Sequence, residues 1–186
     1  MSDKKDKFPT QPSLVGKNIY LRPSTVEDTA NVQMWKIQLE PQSMSCHPLP
    51  FRTPVDAAEA HKEAEKTPDR QWFSIIREKD KILVGQISFF DYNSLNRSVE
   101  MGVIVDPDEQ KKGYGTEAMR LLIAYLFNYR GLNKVYAHTA EYNKGAQKLL
   151  AGLNFKRDGV LRDHHFYKGE FHNYLVYSLL RFEMDW

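Results

Sequence analysis

The sequence predicts a mixed α/β domain of about seven strands and four helices, and three observations predict it. Apolar residues alternate with a period of two in several short runs and recur at helical spacing in four others. The segments come in the order β α α β β β α β α β β, which lacks the regular alternation of a doubly wound parallel sheet. With 186 residues, 41% of them hydrophobic, the chain can build one core and not two sizeable ones.

The opening "MSDKKDKFPTQPS" mixes charge with proline, so residues 1–14 are expected to form a disordered tail ahead of one domain over 15–186. Asn18–Arg22, "NIYLR", alternates as a short strand does. In "STVEDTANVQMWKIQLE" Ser24 or Thr25 can cap a helix, Glu27 and Asp28 suit its first turn, and Val32, Trp35 and Leu39 share a face. Pro41, Pro48 and Pro50 interrupt the chain before a second helix that starts near Pro54 and runs through "VDAAEAHKEAEK".

Beyond Pro68 the period changes. "QWFSIIRE" and "ILVGQISFFDY" read as a hairpin about the turn "KDK", and "RSVEMGVIV" as a third strand. In that strand Val99, Met101, Val103 and Val105 face one way, and Ser98, Glu100, Gly102 and Ile104 the other. A largely buried helix follows, with Ala118, Leu121, Leu122, Tyr125 and Leu126 inward, widened by Met119, Ile123 and Phe127, and ended by Gly131. "KVYAHT" is the next strand, and "NKGAQKLLAGL" a helix with Ala146, Leu149, Leu150 and Leu153 on its inner face. Two strands close the chain, about Phe155–Leu161 extending toward Tyr167 and Phe171–Phe182, joined at Lys168-Gly169.

Composition excludes several classes. A formal net charge of +2 carries no nucleic-acid footprint, and no apolar run approaches a membrane span. Cys46 is alone in "QSMSCHPLP", so no intrachain disulfide can form, and with no signal-peptide core the expected location is cytoplasmic. His164 and His165 are neighbours, which on a strand point to opposite faces, so no metal site is expected.

The segment "DPDEQKKGYGTEAMR" carries the chemistry. A helix N-terminus leaves backbone N–H groups unpaired and adds roughly half a positive charge, while Gly113 and Gly115 let a ligand approach the backbone. Gln110 to Thr116, with Lys111 and Lys112 nearby, therefore suits a pyrophosphate; a tight strand-to-helix turn with solvated lysines is the alternative. "GYGTEA" also matches the G-x-G-x-x-A dinucleotide fingerprint, with Glu141 at ribose distance. Seven residues separate Val105 from Gly113, however, and too little chain follows for two βαβαβ halves. No G-K-[ST] supports a Walker loop.

Gln110-Lys111-Lys112-Gly113-Tyr114-Gly115-Thr116-Glu117-Ala118 resembles the Q/R-x-x-G-x-G/A signature of the GNAT superfamily of N-acetyltransferases. "VEMGVIVDP" resembles the central strand of that family and "YNKGAQKLLAGLNF" its later N-x-x-A/S…L-G-F helix. The ending "LRDHHFYKGEFHNYLVYSLLRFEMDW" is similar to the branch that acetylates ribosomal-protein N-termini, spermidine and some antibiotics or amino sugars. The resemblance spans about Lys17 to Trp186. It implies a GNAT fold: a central, twisted, mostly antiparallel mixed sheet with a V-shaped splay between the fourth and fifth strands.

The resemblance also implies acetyl-CoA as cosubstrate and no metal. The backbone of Val103, Ile104 and Val105 would pair with the pantetheine arm, the amides of Gln110 to Thr116 would hold the pyrophosphate, and Asn143 would lie near the pantetheine, cap its helix, or do both. Glu100 is the candidate general base, its alternatives being a structural carboxylate or a ligand for the substrate ammonium. A strand N–H near Ile104 or Val105 would meet the oxyanion. Leu150 stands where many members carry a tyrosine acid, and Asn154 where L-G-F has glycine; Tyr142 or a water is the substitute acid considered.

The acceptor implied is a primary amine, a protein N-terminus among the candidates. A polyamine, amino-sugar or antibiotic amine, or a non-catalytic acyl-CoA-binding role, are the alternatives, and a homodimer is compatible. Trp35, Cys46-His47 and His164–Tyr167 are candidate lining residues, and Glu27, Asp28, Glu59, Glu63 and Glu65 candidate contacts for a polycation.

Overall fold

The computed structural model describes residues 13–36, 52–64, 66–67 and 69–186. One eight-stranded sheet runs through it: β1 (Leu14–Val15), β2 (Ile19–Pro23), β3 (Gln71–Arg77), β4 (Leu83–Asn93), β5 (Ser98–Val105), β6 (Lys134–Ala140), β7 (Lys156–Tyr167) and β8 (Glu170–Leu180). The helices are α1 (Val26–Lys36), α2 (Pro54–Ala64), α3 (Tyr114–Asn128) and α4 (Lys144–Ala151). The expected order holds, with one strand more than expected. Leu14, the last residue of the expected tail, opens β1 and pairs with Leu21; residues 1–12 lie outside the described residues, as do Leu39, Cys46 and His47.

Strands lie in the order β1-β2-β3-β4-β5-β6-β8-β7, antiparallel throughout except for β5 beside β6. The closing hairpin turns at Lys168 and Gly169, with φ of 51° and 88°, a pair of left-handed residues that matches the twist of adjacent strands. The last strand stops at Leu180 and not at Phe182, because Arg181–Glu183 form a 3-10 turn in which the Glu183 carboxylate takes the Leu180 N–H at 3.0 Å.

The two sheet faces differ. On one, α3 buries Ala118, Met119, Leu122, Ile123, Leu126 and Phe127 against Ile87, Phe89, Val99, Met101 and Val135, at about 25 cal/mol per Å² of apolar surface removed from water. Leu121 and Tyr125 are only partly buried at its rim. The other face carries polar residues under α1. Arg22 pairs with Asp28 through contacts of 2.5 and 2.9 Å, Ser74 donates to Asp28 at 2.8 Å and lies 3.0 Å from the Ser24 hydroxyl, and Gln86 donates to Ser24 at 3.3 Å. Asp28 also receives the Thr25 N–H at 2.8 Å while Thr25 Oγ1 receives the Asp28 N–H at 3.1 Å, closing the helix start reciprocally.

Candidate active site

Strand β5 is paired differently on its two edges. Along β4 the ladder is continuous from Glu100 opposite Phe90 to Val105 opposite Gly85. Along β6 only Ser98, Val99 and Glu100 find partners, and pairing ends at Glu100 opposite Tyr136. Beyond that rung the two parallel strands separate, which is the expected V-shaped splay.

The ladder phase determines which backbone groups face the gap. Asp106 N–H bonds Val84 O at 3.0 Å, directly opposite in register. Antiparallel ladders alternate, so Gly102 and Ile104 spend their backbone groups on β4, and Val103 and Val105 turn theirs to the gap. Ile104 O lies 2.6 Å from where a Cβ on Gly85 would sit, which agrees. The expectation that the Ile104 backbone reaches a pantetheine arm is therefore corrected. On the opposite wall, Lys134 N–H bonds Arg97 O at 3.2 Å and Glu141 N–H bonds Asn173 O at 3.1 Å, so the even residues of β6 face β5. The backbone of His138 thus looks into the gap.

The glycine loop lies between the end of β5 and α3. After the 3-10 turn at Pro107–Glu109, the chain passes Lys111 at φ 61° and Gly113 at φ 87°. No side chain caps α3, and its first amide to find a backbone partner is that of Glu117, to Gly113 O at 3.0 Å. The N–H groups of Tyr114, Gly115 and Thr116 precede that bond. A Cβ at Gly113 would meet open space, so glycine serves the left-handed backbone there. At Gly115 a Cβ would sit 3.4 Å from Leu149 Cδ1 and from Val105 Cγ2, against strand and helix.

The loop's charges are partly committed. Lys112 Nζ bonds Glu109 at 2.9 Å and Asp108 O at 3.0 Å, and Arg77 bonds the same Glu109 at 2.7 Å. The Lys112 bond, with burial opposing and Arg77 adding, holds the Glu109 carboxyl below its ordinary value. Gln110 Nε2 donates to Val105 O at 3.3 Å and so fastens the loop to the strand end. Glu117 fixes the other side of the helix start through Lys17 N–H at 2.6 Å and Asn18 N–H at 2.8 Å. Burial raises its pKa, but these amides outweigh it and the net shift is downward.

Across the splay, on the polar face, Glu100 Oε1 lies 2.8 Å from His138 Nδ1. His138 stacks on Tyr174 at 5.1 Å between ring centroids, Tyr174 stacks on His164 at 5.4 Å, and Tyr136 meets His138 edge-on at 5.6 Å. Tyr136 donates its hydroxyl to Asp91; burial first, then the Asp91 carboxylate, push the phenol's pKa up, so Tyr136 stays protonated near neutrality. An open depression lined by Ser98, Lys134, Tyr136, His138 and Val176 borders the pair.

Other expected residues divide. Asn143 caps α4 by accepting the Ala146 N–H at 3.0 Å. Leu150 is buried in the core and offers no proton. Asn154 takes φ 62°, a conformation asparagine tolerates, and bonds Asp185 at 2.9 Å. Tyr142 stacks on Tyr167 at 4.5 Å and meets His172 edge-on at 5.0 Å. His164 turns to Tyr174 and His165 to Tyr142, and no metal-holding group of three or more His, Cys, Asp or Glu occurs among the described residues. Trp35 is half-buried; Asp28 is bound to Arg22 and Glu63 bonds Lys66 at 2.7 Å, while Glu65 lies outside the described residues. Among the described helices, none is long and apolar enough to cross a membrane. His138 and Tyr174 were not singled out from the sequence; alternation in "KVYAHT" puts Tyr136 and His138 on one face, but only the β5–β6 register sets His138 beside Glu100.

Comparison with known proteins gives the family. Residues 18–156 match the family model described as an acetyltransferase (GNAT) domain. The uncharacterized N-acetyltransferase p20 of Bacillus licheniformis is 32% identical over 111 residues, 60% of this chain and 62% of that protein. The spermidine N(1)-acetyltransferase of Vibrio cholerae is 28% identical over 97 residues, 52% of this chain and 56% of that protein. The chain thus spans about three-fifths of the length of these curated relatives. A crystal structure of spermidine N-acetyltransferase from Vibrio cholerae in complex with CoA and spermine shares the fold, with a TM-score of 0.84 at 21% identity, covering 90% of this chain and 98% of that one. The family match covers most of the chain and agrees with the splayed sheet and glycine loop: this protein belongs to the GNAT acetyltransferase family.

Proposed function

We propose that the protein is an acetyl-CoA-dependent N-acetyltransferase that acts on a primary amine. The observation that carries this reading is the end of β5–β6 pairing at Glu100, directly above a glycine loop and an uncapped helix start. A pantetheine arm in the gap would meet the Met101 carbonyl, the backbone groups of Val103 and the N–H of Val105, whose carbonyl already accepts from Gln110. The pyrophosphate would sit on the amides of Gln110 to Thr116, with Lys111, Lys112, Gly113, Tyr114 and Gly115 between them and Asn143 at the pantetheine side.

The reaction begins with loss of a proton from the amine, because an alkylammonium has a pKa of about 10.4. Glu100 supplies the negative charge that draws it. The amine nitrogen then bonds the thioester carbonyl carbon, and the carbonyl electron pair moves to oxygen, where the N–H of Val103 or Val105 can meet it. The adduct nitrogen gives up its second proton, collapse breaks the C–S bond, and the thiolate leaves and is protonated to free CoA. The ordinary thiol pKa of about 8.5 makes it a tolerable leaving group.

Polyamines are the first acceptor class to test, since one relative bears the name spermidine N(1)-acetyltransferase. A protein N-terminus is the second. The test is thiol release from acetyl-CoA against spermidine, amino sugars and N-terminal peptides, beside calorimetric binding of acetyl-CoA. Release with at least one amine is expected. Binding with no release from any amine would leave an acyl-CoA-binding domain, and absence of binding would end the reading.

A further inference from the structure

We propose that His138 is the proton carrier of the reaction and that Glu100 is its positioning residue. The proposal rests on the acetyltransferase reading above and deepens it. His138 is the first residue of β6 past the last rung whose backbone faces the gap, and its side chain rises on the face of Glu100, at the apex of the splay. An ionised carboxylate only accepts hydrogen bonds. Glu100 Oε1, 2.8 Å from Nδ1, therefore keeps the imidazole proton on Nδ1 and leaves the Nε2 lone pair for the reactants. Tyr174 beneath the ring and Tyr136 at its edge fix its plane.

This arrangement supplies both proton steps. The ammonium first loses one proton to solvent; Nε2 takes the second from the nitrogen as it bonds the carbonyl carbon, and the imidazolium is held by Glu100. When the C–S bond breaks, Nε2 returns that proton to the departing thiolate. The imidazole ends neutral, and no other acid is consumed. The missing tyrosine at Leu150 then needs no replacement, and Tyr136, held protonated by burial and Asp91, is not called upon. The other titratable groups around the ring are Tyr174 on β8 and His164 on β7, with Lys134 bonded to Asp158 at 2.8 Å farther along the face.

Three readouts test the assignment. In the free protein, imidazole ¹⁵N shifts of His138 should report a proton on Nδ1, and Glu100→Gln should remove that preference. In the acetyl-CoA and amine assay, His138→Gln should lower kcat on the order of 100-fold to 1000-fold with acetyl-CoA affinity unchanged, and added imidazole should restore part of the rate in His138→Ala. The wild-type kcat/KM should fall on its acidic side in the imidazole range, and that limb should vanish in His138→Gln. A His138→Gln rate within twofold of wild type, or a wild-type limb in the carboxylate range, would overturn the carrier role and return the base to Glu100. That result differs from failure of the parent reading, in which the wild type itself releases no thiol from any amine and the carrier role falls with it. The wild-type profile and the ¹⁵N shifts decide the matter even if a His138 variant fails to fold.

Discussion

Between Gln110 and Thr116 the surface offered to a ligand is peptide N–H from consecutive residues, shaped by Gly113 at φ 87° and carried on one helix start. Across the splay, Glu100, His138, Tyr174 and His164 come from four strands, and meet only because β5 pairs with β6 and β8 lies between β6 and β7. The loop side is thus made of backbone and is local in the chain, while the Glu100 side is made of side chains and depends on topology. On the proposed reading, a change on the loop side should cost more in affinity for acetyl-CoA than in stability. A change in the polar network under α1, on the same sheet face as Glu100, should cost stability first.

The largest effect is expected in that network. Asp28→Ala leaves the Arg22 guanidinium buried without its partner and should destabilise the fold by about 3–5 kcal/mol, read from urea unfolding. Burial raises the Asp28 pKa, but the bonds from Arg22, Thr25 and Ser74 outweigh it, and the net shift is down from 3.8. A depressed carboxyl stabilises fully above its unfolded value and loses that contribution as pH falls through the native one. The wild type should therefore lose stability as pH drops below about 4 by the linkage of proton binding to folding, and Asp28→Ala should show a shallower acid slope.

On the loop side, Gly113→Glu forces a side chain into the left-handed region, at about 1–2 kcal/mol, and sets a carboxylate where the proposed pyrophosphate would sit. Acetyl-CoA binding should weaken by roughly 100-fold or more in calorimetry, the equivalent of about 3 kcal/mol, with urea unfolding showing only the smaller loss of about 1–2 kcal/mol from the left-handed backbone. Equal losses of affinity and stability in this variant would erase the contrast between the two sides.

Gly85 tests the boundary between them. A Cβ there would sit 2.6 Å from Ile104 O and 2.9 Å from Ile75 Cδ1, so Gly85→Ala must push β5 away from β4. A cost of about 1–3 kcal/mol in stability is expected, accompanied by weaker acetyl-CoA binding because the gap wall moves. The smallest effect belongs to Lys112, whose charge is already paired with Glu109. Lys112→Ala should change acetyl-CoA affinity by about 1 kcal/mol at most, and a larger loss would mean that the lysine leaves Glu109 for the phosphates.

The same contrast explains what the sequence disclosed. The glycine loop, the buried face of α3 and the alternation of β5 are local patterns, and each was legible residue by residue. Leu150 and Asn143 were legible too, since their places follow from spacing within one helix. The pairing of Glu100 with His138 was not, because it needs the parallel register of β5 and β6, which no local pattern encodes. Strand β1 was also missed; two residues, Leu14 and Val15, are too short a run to show a period. The backbone direction of Ile104 needed the ladder phase, since side-chain alternation says which face a residue takes and not which neighbour its amide meets.

The central claim is that β5 beyond Glu100 presents the amides of Val103 and Val105 unpaired to the gap, where the proposed coenzyme would lie. Amide hydrogen exchange at four consecutive residues tests it most directly. Gly102 and Ile104, bonded to β4, should exchange slowly with or without acetyl-CoA, whereas Val103 and Val105 should exchange fast in the free protein and become protected at saturating acetyl-CoA. Val103 and Val105 amides that are already slow without ligand, or that stay fast when acetyl-CoA is bound, would contradict it.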